Sequence, residues 1–113
     1  MVNFDKVHHL QSYLPRDCRQ DRGWLSFLLI MSHVPALEAL LTEHVNFSQA
    51  EVNVKALQDT YLSSAQAFLL ALALHLFNAQ NPLPADGLLG MRLLDGNNFT
   101  LALHAIRLAH YKP

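Results

Sequence analysis

The sequence predicts a single all-α domain of six or seven helices around one buried central helix. A chain of 113 residues fits one domain with one core, since two separate units would each be marginal in size. Apolar residues recur at helical spacing in most segments, and no segment alternates over enough residues to predict a strand. The stretch Ser63–Gln80 is apolar around nearly its whole circumference, which is typical of a helix buried in a core.

Helix-capping residues, prolines and turn residues divide the chain into the predicted helices. Each begins at a polar cap before an apolar, helically spaced run. The first half contains predicted helices from Asn3 or Asp5 to about Leu14, from a capping box at Asp17 and Gln20 to about Ser32, and, after Pro35, from Ala36 to Val45. The second half contains a short predicted helix from Val54 to Thr60, the central helix from Ser63 or Ser64 to Asn78, a weak helix from Pro84 to Leu94, and a final helix from Phe99, capped by Asn98, to Tyr111.

The charge balance argues against nucleic acid as a partner. Eight Lys and Arg residues stand against nine Asp and Glu residues, for a net charge of −1 at pH 7, so no overall field attracts a polyanion. The third predicted helix is the nearest candidate for a recognition helix, and it carries Glu38 and Glu43, which would repel phosphates. We therefore expect no nucleic-acid binding.

No segment is typical of a membrane span or an export signal. The longest apolar run, Ala67–Leu74, is far shorter than the roughly 18 residues that a spanning helix needs. The N-terminal segment lacks the apolar region and cleavage site of a signal peptide. Cys18 is the only cysteine, which excludes an internal disulfide and fits a reducing compartment. We expect a cytoplasmic protein that does not enter the membrane.

The composition favours association with another chain. Charged residues make up 15% of the sequence, against about 25% in an average soluble domain. A small domain with so little charge leaves apolar surface exposed, and the final predicted helix has two apolar stripes rather than one. We expect a homo-oligomer or a protein partner. The predicted interface residues are Leu88, Met91, Leu101 and Leu108.

A second interpretation is a ligand pocket between helices. His75 lies on the most apolar helix, where an imidazole needs a partner, and Asn78 follows about one turn later. His104 and Arg107 are three residues apart on the final helix, with Tyr111 beyond them, and could form an anion-binding strip. Together these side chains could line the pocket of a ligand-binding protein or sponge. The simpler interpretation is that His75 bonds a backbone carbonyl and that His104 and Arg107 face solvent.

The spacing of the histidines argues against a metal centre or catalytic site on one helix. The chain has seven histidines, but none stands three or four residues from another, as a metal pair on a helix requires. The sequence also lacks HExxH, CxxC and GxSxG patterns and a phosphate-binding glycine loop. We expect no catalytic residue, metal or cofactor. A cluster assembled from separate helices, such as His33, His75 and His104, leaves a small histidine-dependent enzyme as a third alternative.

The main charge cluster lies before the second predicted helix. Arg16, Arg19 and Arg22 are spaced by three and share one side of a helix, which would suit a phosphate or an acidic partner. Asp17 and Asp21 lie alongside and largely offset their charge. We interpret this cluster as the solvated first turn of the second helix rather than as a binding patch.

Five segments together resemble a known family. They are Phe4–His9, Arg22–Ile30, Leu57–Thr60, the LALALHLFNAQ segment Leu70–Gln80, and the closing AIRLAHY segment Ala105–Tyr111. In this order they are similar to a small family of helical proteins found in low-GC Gram-positive bacteria and their prophages. That family has no assigned activity. The resemblance therefore implies a compact, helical, cytoplasmic protein encoded on a phage or mobile element, and it carries over no site residue.

The low charge, the excess of apolar helix faces and the lack of a catalytic pattern favour a non-enzymatic interaction protein. We expect it to be homo-oligomeric and to regulate or inhibit a host protein by occupying one of that protein's surfaces. The ligand-binding protein and the histidine-dependent enzyme are the alternatives.

Overall fold

The computed structural model describes residues 2–84 and 87–110, except for the side chain of Leu88. Within these ranges the chain is 69% helical, with six α-helices and one two-stranded sheet. Their apolar side chains form one hydrophobic core. The predicted all-α fold is therefore confirmed. Two residues named in the sequence predictions lie outside the described part of the chain: Tyr111 entirely, and Leu88 in its side chain.

The helices follow one another with short connections. They are α1 Phe4–Gln11, α2 Arg22–His33, α3 Pro35–His44, α4 Val54–Gln58, α5 Ser64–Phe77 and α6 Gly96–His110. Two 3-10 helices, Arg16–Cys18 and Gly87–Leu93, precede α2 and α6. The second of them lies where the sequence predicts a weak α-helix, which agrees with the poor helix propensity of the two glycines in that segment.

A small antiparallel hairpin follows α3, where the sequence predicts no strand. Strand β1, Val45–Asn46, pairs with β2, Glu51–Val52, in the register Val45 to Val52 and Asn46 to Glu51. The turn between them holds Ala50 at a φ of 53°, a conformation that is uncommon for residues other than glycine. Strands of two residues are too short to show an alternating pattern, which explains why the sequence did not predict them.

Two predicted caps are confirmed. The Asn3 side chain accepts a hydrogen bond from the backbone N–H of Lys6 at the start of α1. Ser63 and Gln66 form a reciprocal capping box at the start of α5, each side chain accepting from the other residue's backbone N–H. These caps satisfy helix donors that would otherwise lack partners.

Two other predicted caps are wrong by a few residues. Helix α2 is capped by Asp21, whose Oδ1 accepts from the Trp24 N–H at 2.9 Å, and not by the pair Asp17 and Gln20. Helix α6 begins at Gly96, where the Asp95 carboxylate accepts from the Asn98 N–H at 2.8 Å. Asn98 is thus inside the helix rather than its cap. In both cases an aspartate nearby in the sequence makes the bond instead.

The most deeply buried helix is α2. Every residue from Ser26 to Ser32 is buried, and the helix packs against α1, α3, α5 and α6. The sequence predicted that the helix beginning at Ser63 would hold this position. That helix, α5, buries Phe68–Leu70 and Leu72–Leu74 and leaves Ser64 and Ala67 exposed.

Two serines account for this difference. Ser26 Oγ donates to the backbone carbonyl of Arg22 at 2.9 Å, and Ser32 Oγ lies 3.4 Å from that of Leu29. A serine that bonds its own helix can be buried at little cost. In the sequence, however, Ser26 and Ser32 make the α2 segment look less apolar than the α5 segment.

Helices α2 and α6 run antiparallel, and this pairing positions the candidate site. At the start of α2, Arg22 and Leu25 share a cavity with Arg107 from the second half of α6. At the end of α2, His33 shares a different cavity with Thr100 from the beginning of α6. The pair therefore has two distinct ends, one near the start of α2 and one near its C-terminus.

Among the described helices, none combines the length and the apolar character that crossing a bilayer requires.

Candidate functional site

The α2–α6 pair has a groove of about 440 Å³ at the end where α2 begins. We call it the arginine groove. Its walls come from α1, α2 with the turn before it, and α6. The lining residues are Phe4, Gln20, Arg22, Leu25, His104, Arg107 and Leu108.

Because of their helical spacing, these side chains face the same groove. Arg22 and Leu25 are three residues apart on α2, and Arg107 and Leu108 lie three and four residues after His104 on α6. Residues three or four apart share one face of a helix. Each of the two helices thus contributes an arginine and a leucine to the groove.

The groove combines positive charge with an apolar wall. Phe4 is 41% exposed, while Leu25 and Leu108 are half-buried. Among the residues that the structure describes, none that lines the groove carries a carboxylate. Asp21, the nearest acid in sequence to Arg22, is engaged as the cap of α2. The two salt bridges between described residues join Lys6 to Glu38 and His44 to Glu43, so neither uses Arg22 or Arg107.

This combination suits an anion that carries an apolar body. A guanidinium presents a planar fork of N–H donors that matches the two oxygens of a carboxylate, or two oxygens of a sulfonate or phosphate. A hydrocarbon chain or ring attached to the anion could lie against Phe4, Leu25 and Leu108. The volume is within the range of about 300–1,000 Å³ that is usual for small-molecule sites.

The structure divides the four predicted ligand-binding residues into two pairs. His104 and Arg107 line the arginine groove together, but His75 and Asn78 are not part of its lining. His75 Nδ1 lies 2.8 Å from the backbone carbonyl of Asn81. Because a carbonyl only accepts, Nδ1 must carry the proton and donate. Asn78 ends α5, and its side-chain oxygen accepts from the Gln80 N–H at 3.0 Å. These contacts give His75 and Asn78 a structural role at the end of α5.

The predicted interface residues are less accessible than the prediction requires. Leu101 is 4% exposed and belongs to the hydrophobic core, so its side chain is not available to another chain. Met91 and Leu108 are partly buried against the same core. The sequence placed Leu101 on a second apolar stripe of the final helix, but that stripe faces the protein's own core.

About half of the groove's residues were not predicted from the sequence. Arg22 was grouped with Arg16 and Arg19, and neither Phe4 nor Leu25 was identified as a site residue. The shared face of Arg22 and Leu25 is visible in the sequence. Their proximity to Arg107 is not, because it depends on the antiparallel pairing of two helices far apart in the chain.

A second and larger depression, of about 790 Å³, lies beside the hairpin and is lined by Tyr13 and by residues between Thr42 and Asn53. It contains Glu43, His44 and Glu51, but no three His, Cys, Asp or Glu side chains in the described residues are arranged to hold a metal ion. His33, His75 and His104, the example cluster of the enzyme hypothesis, therefore form no such metal-holding group.

Comparisons with known protein families, with curated proteins and with solved structures found no match to this chain. The resemblance to the family from low-GC Gram-positive bacteria and their prophages therefore stays a prediction. Inferences about function depend on the geometry of the chain itself.

Proposed function

We propose that the protein is a non-enzymatic binding protein that takes a small amphiphilic carboxylate in the arginine groove. The observation that carries this proposal is the convergence of Arg22 and Arg107, from two different helices, on a groove whose other walls are largely apolar and whose described lining residues include no acid.

The two parts of such a ligand would contribute in different ways. The carboxylate would accept charge-assisted hydrogen bonds from the guanidinium groups, each worth about 1.5–3 kcal/mol. The apolar body would gain about 0.8 kcal/mol for each methylene group that it buries. Neither acetate, which lacks the chain, nor an alcohol, which lacks the charge, should bind well.

Isothermal titration calorimetry at pH 7.5 with octanoate, octanol and acetate tests this requirement for both parts. We expect heat of binding from octanoate and little from the other two. Because one charge-assisted bond is worth about 1.5 kcal/mol or more, and about 1.4 kcal/mol corresponds to a tenfold change, Arg22→Ala and Arg107→Ala should each weaken octanoate binding by about tenfold or more.

Arg92→Ala is the matched control, since Arg92 is an exposed arginine outside the groove. Its affinity for octanoate should equal that of the unaltered protein. Equal binding of octanol and octanoate, or equal losses in all three arginine variants, would show that the groove does not recognise the carboxylate.

A second candidate function is association with another copy of the chain or with a protein partner, as a cytoplasmic regulator. It is favoured by large apolar side chains that remain exposed near the start of α6. Phe99 and Leu103 are 41% and 44% exposed, and Leu89 and Leu93 on the preceding 3-10 helix are 67% and 47% exposed. Phe99 and Leu103 are four residues apart on α6 and so share one face.

Light scattering tests the self-association. A homo-oligomer would have a mass that is a multiple of 12.7 kDa, and Phe99→Glu with Leu103→Glu should reduce it to a single chain. Thr100→Glu, at an exposed position on the same helix, should leave the mass unchanged. A single-chain mass for the unaltered protein would exclude the homo-oligomer.

A further inference from the structure

The C-terminal end of α2 is joined to the beginning of α1 by one imidazole. The backbone N–H of Asn3 donates to His33 Nε2 at 2.7 Å. On the other side of the ring, Nδ1 lies 2.9 Å from the backbone carbonyl of Leu29 and 3.0 Å from Ser32 Oγ. Both ring nitrogens of His33 are therefore engaged, one by a neighbouring helix and one by its own helix.

The two backbone partners allow only one protonation state. An amide N–H can only donate, so Nε2 must be unprotonated, and a carbonyl oxygen can only accept, so Nδ1 must carry the hydrogen. The neutral Nδ1–H tautomer makes both bonds. A second proton, on Nε2, would place two N–H groups against each other and break the bond to Asn3.

The charged side chains around His33 come from two of the neighbouring helices. From α1, Lys6 approaches with its positive charge, and from α3, Glu38 approaches with a negative one; these two form a salt bridge of 2.7 Å. The residues of α6 that share a cavity of about 130 Å³ with His33 are Asn97, Asn98, Thr100 and Leu101, none of which titrates.

The pKa of His33 is lowered from its ordinary value of 6.5, chiefly because burial disfavours the charged ring. The bond to the Leu29 carbonyl raises the pKa, Lys6 lowers it, and Glu38 raises it. Burial outweighs the attraction of Glu38, so the neutral ring that the hydrogen bonds require is also the favoured one.

In sequence, the residue that His33 contacts is adjacent to a residue that lines the arginine groove. Asn3 also caps α1 through its side chain, which accepts from the Lys6 N–H. The next residue, Phe4, is the first residue of α1 and a wall of the groove. Any change that frees the Asn3 backbone therefore affects both the first turn of α1 and the position of Phe4.

We infer that His33 acts as a pH-sensitive latch, whose protonation at Nε2 releases the Asn3 amide, loosens the first turn of α1 and opens the Phe4 wall of the groove. Anion binding in the groove then weakens as the pH falls. The release of α1 stands on the hydrogen bonds alone, whereas the effect on binding rests on the proposed function.

The first test needs no ligand. Amide hydrogen exchange, corrected for the intrinsic effect of pH on exchange, is measured by NMR for residues 3–11 and for α2 at pH 7.5 and pH 5.0. We expect the protection of Asn3, Lys6 and the later α1 amides to fall several-fold at pH 5.0 relative to that of α2.

His33→Gln is the matched variant. The glutamine side-chain amide reaches the position of Nε2, can accept from the Asn3 N–H and does not titrate between these pH values. In this variant the protection of α1 should not depend on pH. Equal losses in the variant and the unaltered protein, or no loss in the unaltered protein, would overturn the latch, and the latter result does not depend on how the variant folds.

The second test measures binding of octane-1-sulfonate, whose charge does not change between pH 5.0 and 7.5. Because the imidazole of His104 also lines the groove, both proteins compared carry His104→Gln, so that they differ only at His33. With His33 present, the affinity should fall several-fold from pH 7.5 to pH 5.0, and with His33→Gln it should not.

The two tests separate the two proposals. Loss of α1 protection together with sulfonate affinity that does not vary with pH would overturn the coupling to the groove and leave the release of α1 standing. Failure to bind the sulfonate at either pH would overturn the proposed function and, with it, the coupling, while the exchange result would still decide whether His33 holds α1.

Discussion

The two ends of the α2–α6 pair differ in how their polar groups are satisfied. At the start of α2, Arg22 and Arg107 face an open groove and form no salt bridge with a described residue. At the C-terminal end of α2, both nitrogens of His33 are bonded, and the adjoining cavity is less than a third of the size, about 130 Å³ against about 440 Å³.

The polar groups at the two ends therefore differ in what they can offer a ligand. A charged group without a partner can contribute new interactions to a ligand, whereas a group whose bonds are complete can only lose them. Under the two proposals above, a ligand would bind at the groove end and pH would act at the His33 end. The following predictions compare substitutions at the two ends.

The largest effect should come from the core leucine near the His33 end. Leu101 is 4% exposed, and Leu101→Ala should lower the free energy of unfolding by about 3 kcal/mol, because it leaves a cavity. Leu108 at the groove end is partly buried, so Leu108→Ala should cost about 1 kcal/mol. Urea denaturation measures both. Equal costs would show that the two ends are packed alike.

A glycine at each end gives the next comparison. A Cβ on Gly23 would lie 2.7 Å from the Phe77 carbonyl oxygen and 3.3 Å from that of Leu76, whereas one on Gly96 would meet nothing within 4 Å. Gly23→Ala should therefore push α2 away from the end of α5 and cost about 1–3 kcal/mol. Gly96→Ala should change the stability by less than about 1 kcal/mol.

Thermal melting of the two glycine variants at one pH is sufficient to rank them. A Gly23→Ala protein as stable as Gly96→Ala would mean that the start of α2 can move without disturbing the core. The groove would then be less rigid than its contacts indicate.

A smaller effect should depend on pH. Since the pKa of His33 is lowered in the folded protein, the unfolded chain takes up the proton first as the pH falls. The stability that His33 contributes is thus complete above about pH 6.5 and is progressively lost below it, until the lowered pKa is passed. Urea denaturation from pH 8 to pH 5 should show this decline, and His33→Gln should make it shallower. A steeper decline in the variant would contradict the sign.

The smallest effect should come from the salt bridge that also holds α1. Lys6 and Glu38 are each 42% exposed at their side chains, so water and salt screen their attraction. Lys6→Ala should lower the free energy of unfolding by less than about 0.5 kcal/mol. A larger loss in urea denaturation would mean that this ion pair stabilises the protein more than a screened surface pair should.

Local signals in the sequence predicted local structure well. The caps at Asn3 and Ser63 were predicted, each as one of two candidates, because Asn, Asp and Ser are common caps before an apolar helical run. Pro35 marked the start of α3 because proline suits the first position of a helix. The hairpin was missed because its strands have two residues each and because Ala50, at positive φ, is not a residue type that signals a turn.

Non-local structure was predicted less well. The order of burial between α2 and α5 depended on whether Ser26 and Ser32 bond their own helix, which residue type alone does not reveal. His104 and Arg107 were grouped because they share a helix face, and both line the arginine groove. Arg22 and Phe4 join them only through the packing of α1 and α2 against α6, which no spacing rule could supply.

The burial of α2 also constrains the order of events during synthesis. Helix α2 ends at His33, whereas α6, which covers one of its sides, begins at Gly96. The ribosome therefore exposes the run from Phe27 to Met31 well before the segment that shields it has been made. Contacts between such distant segments form late, and exposed apolar surface on a partly made chain promotes aggregation. This small protein should therefore complete its fold only after most of its chain has left the ribosome, and chaperones that bind apolar segments should recognise α2 until then.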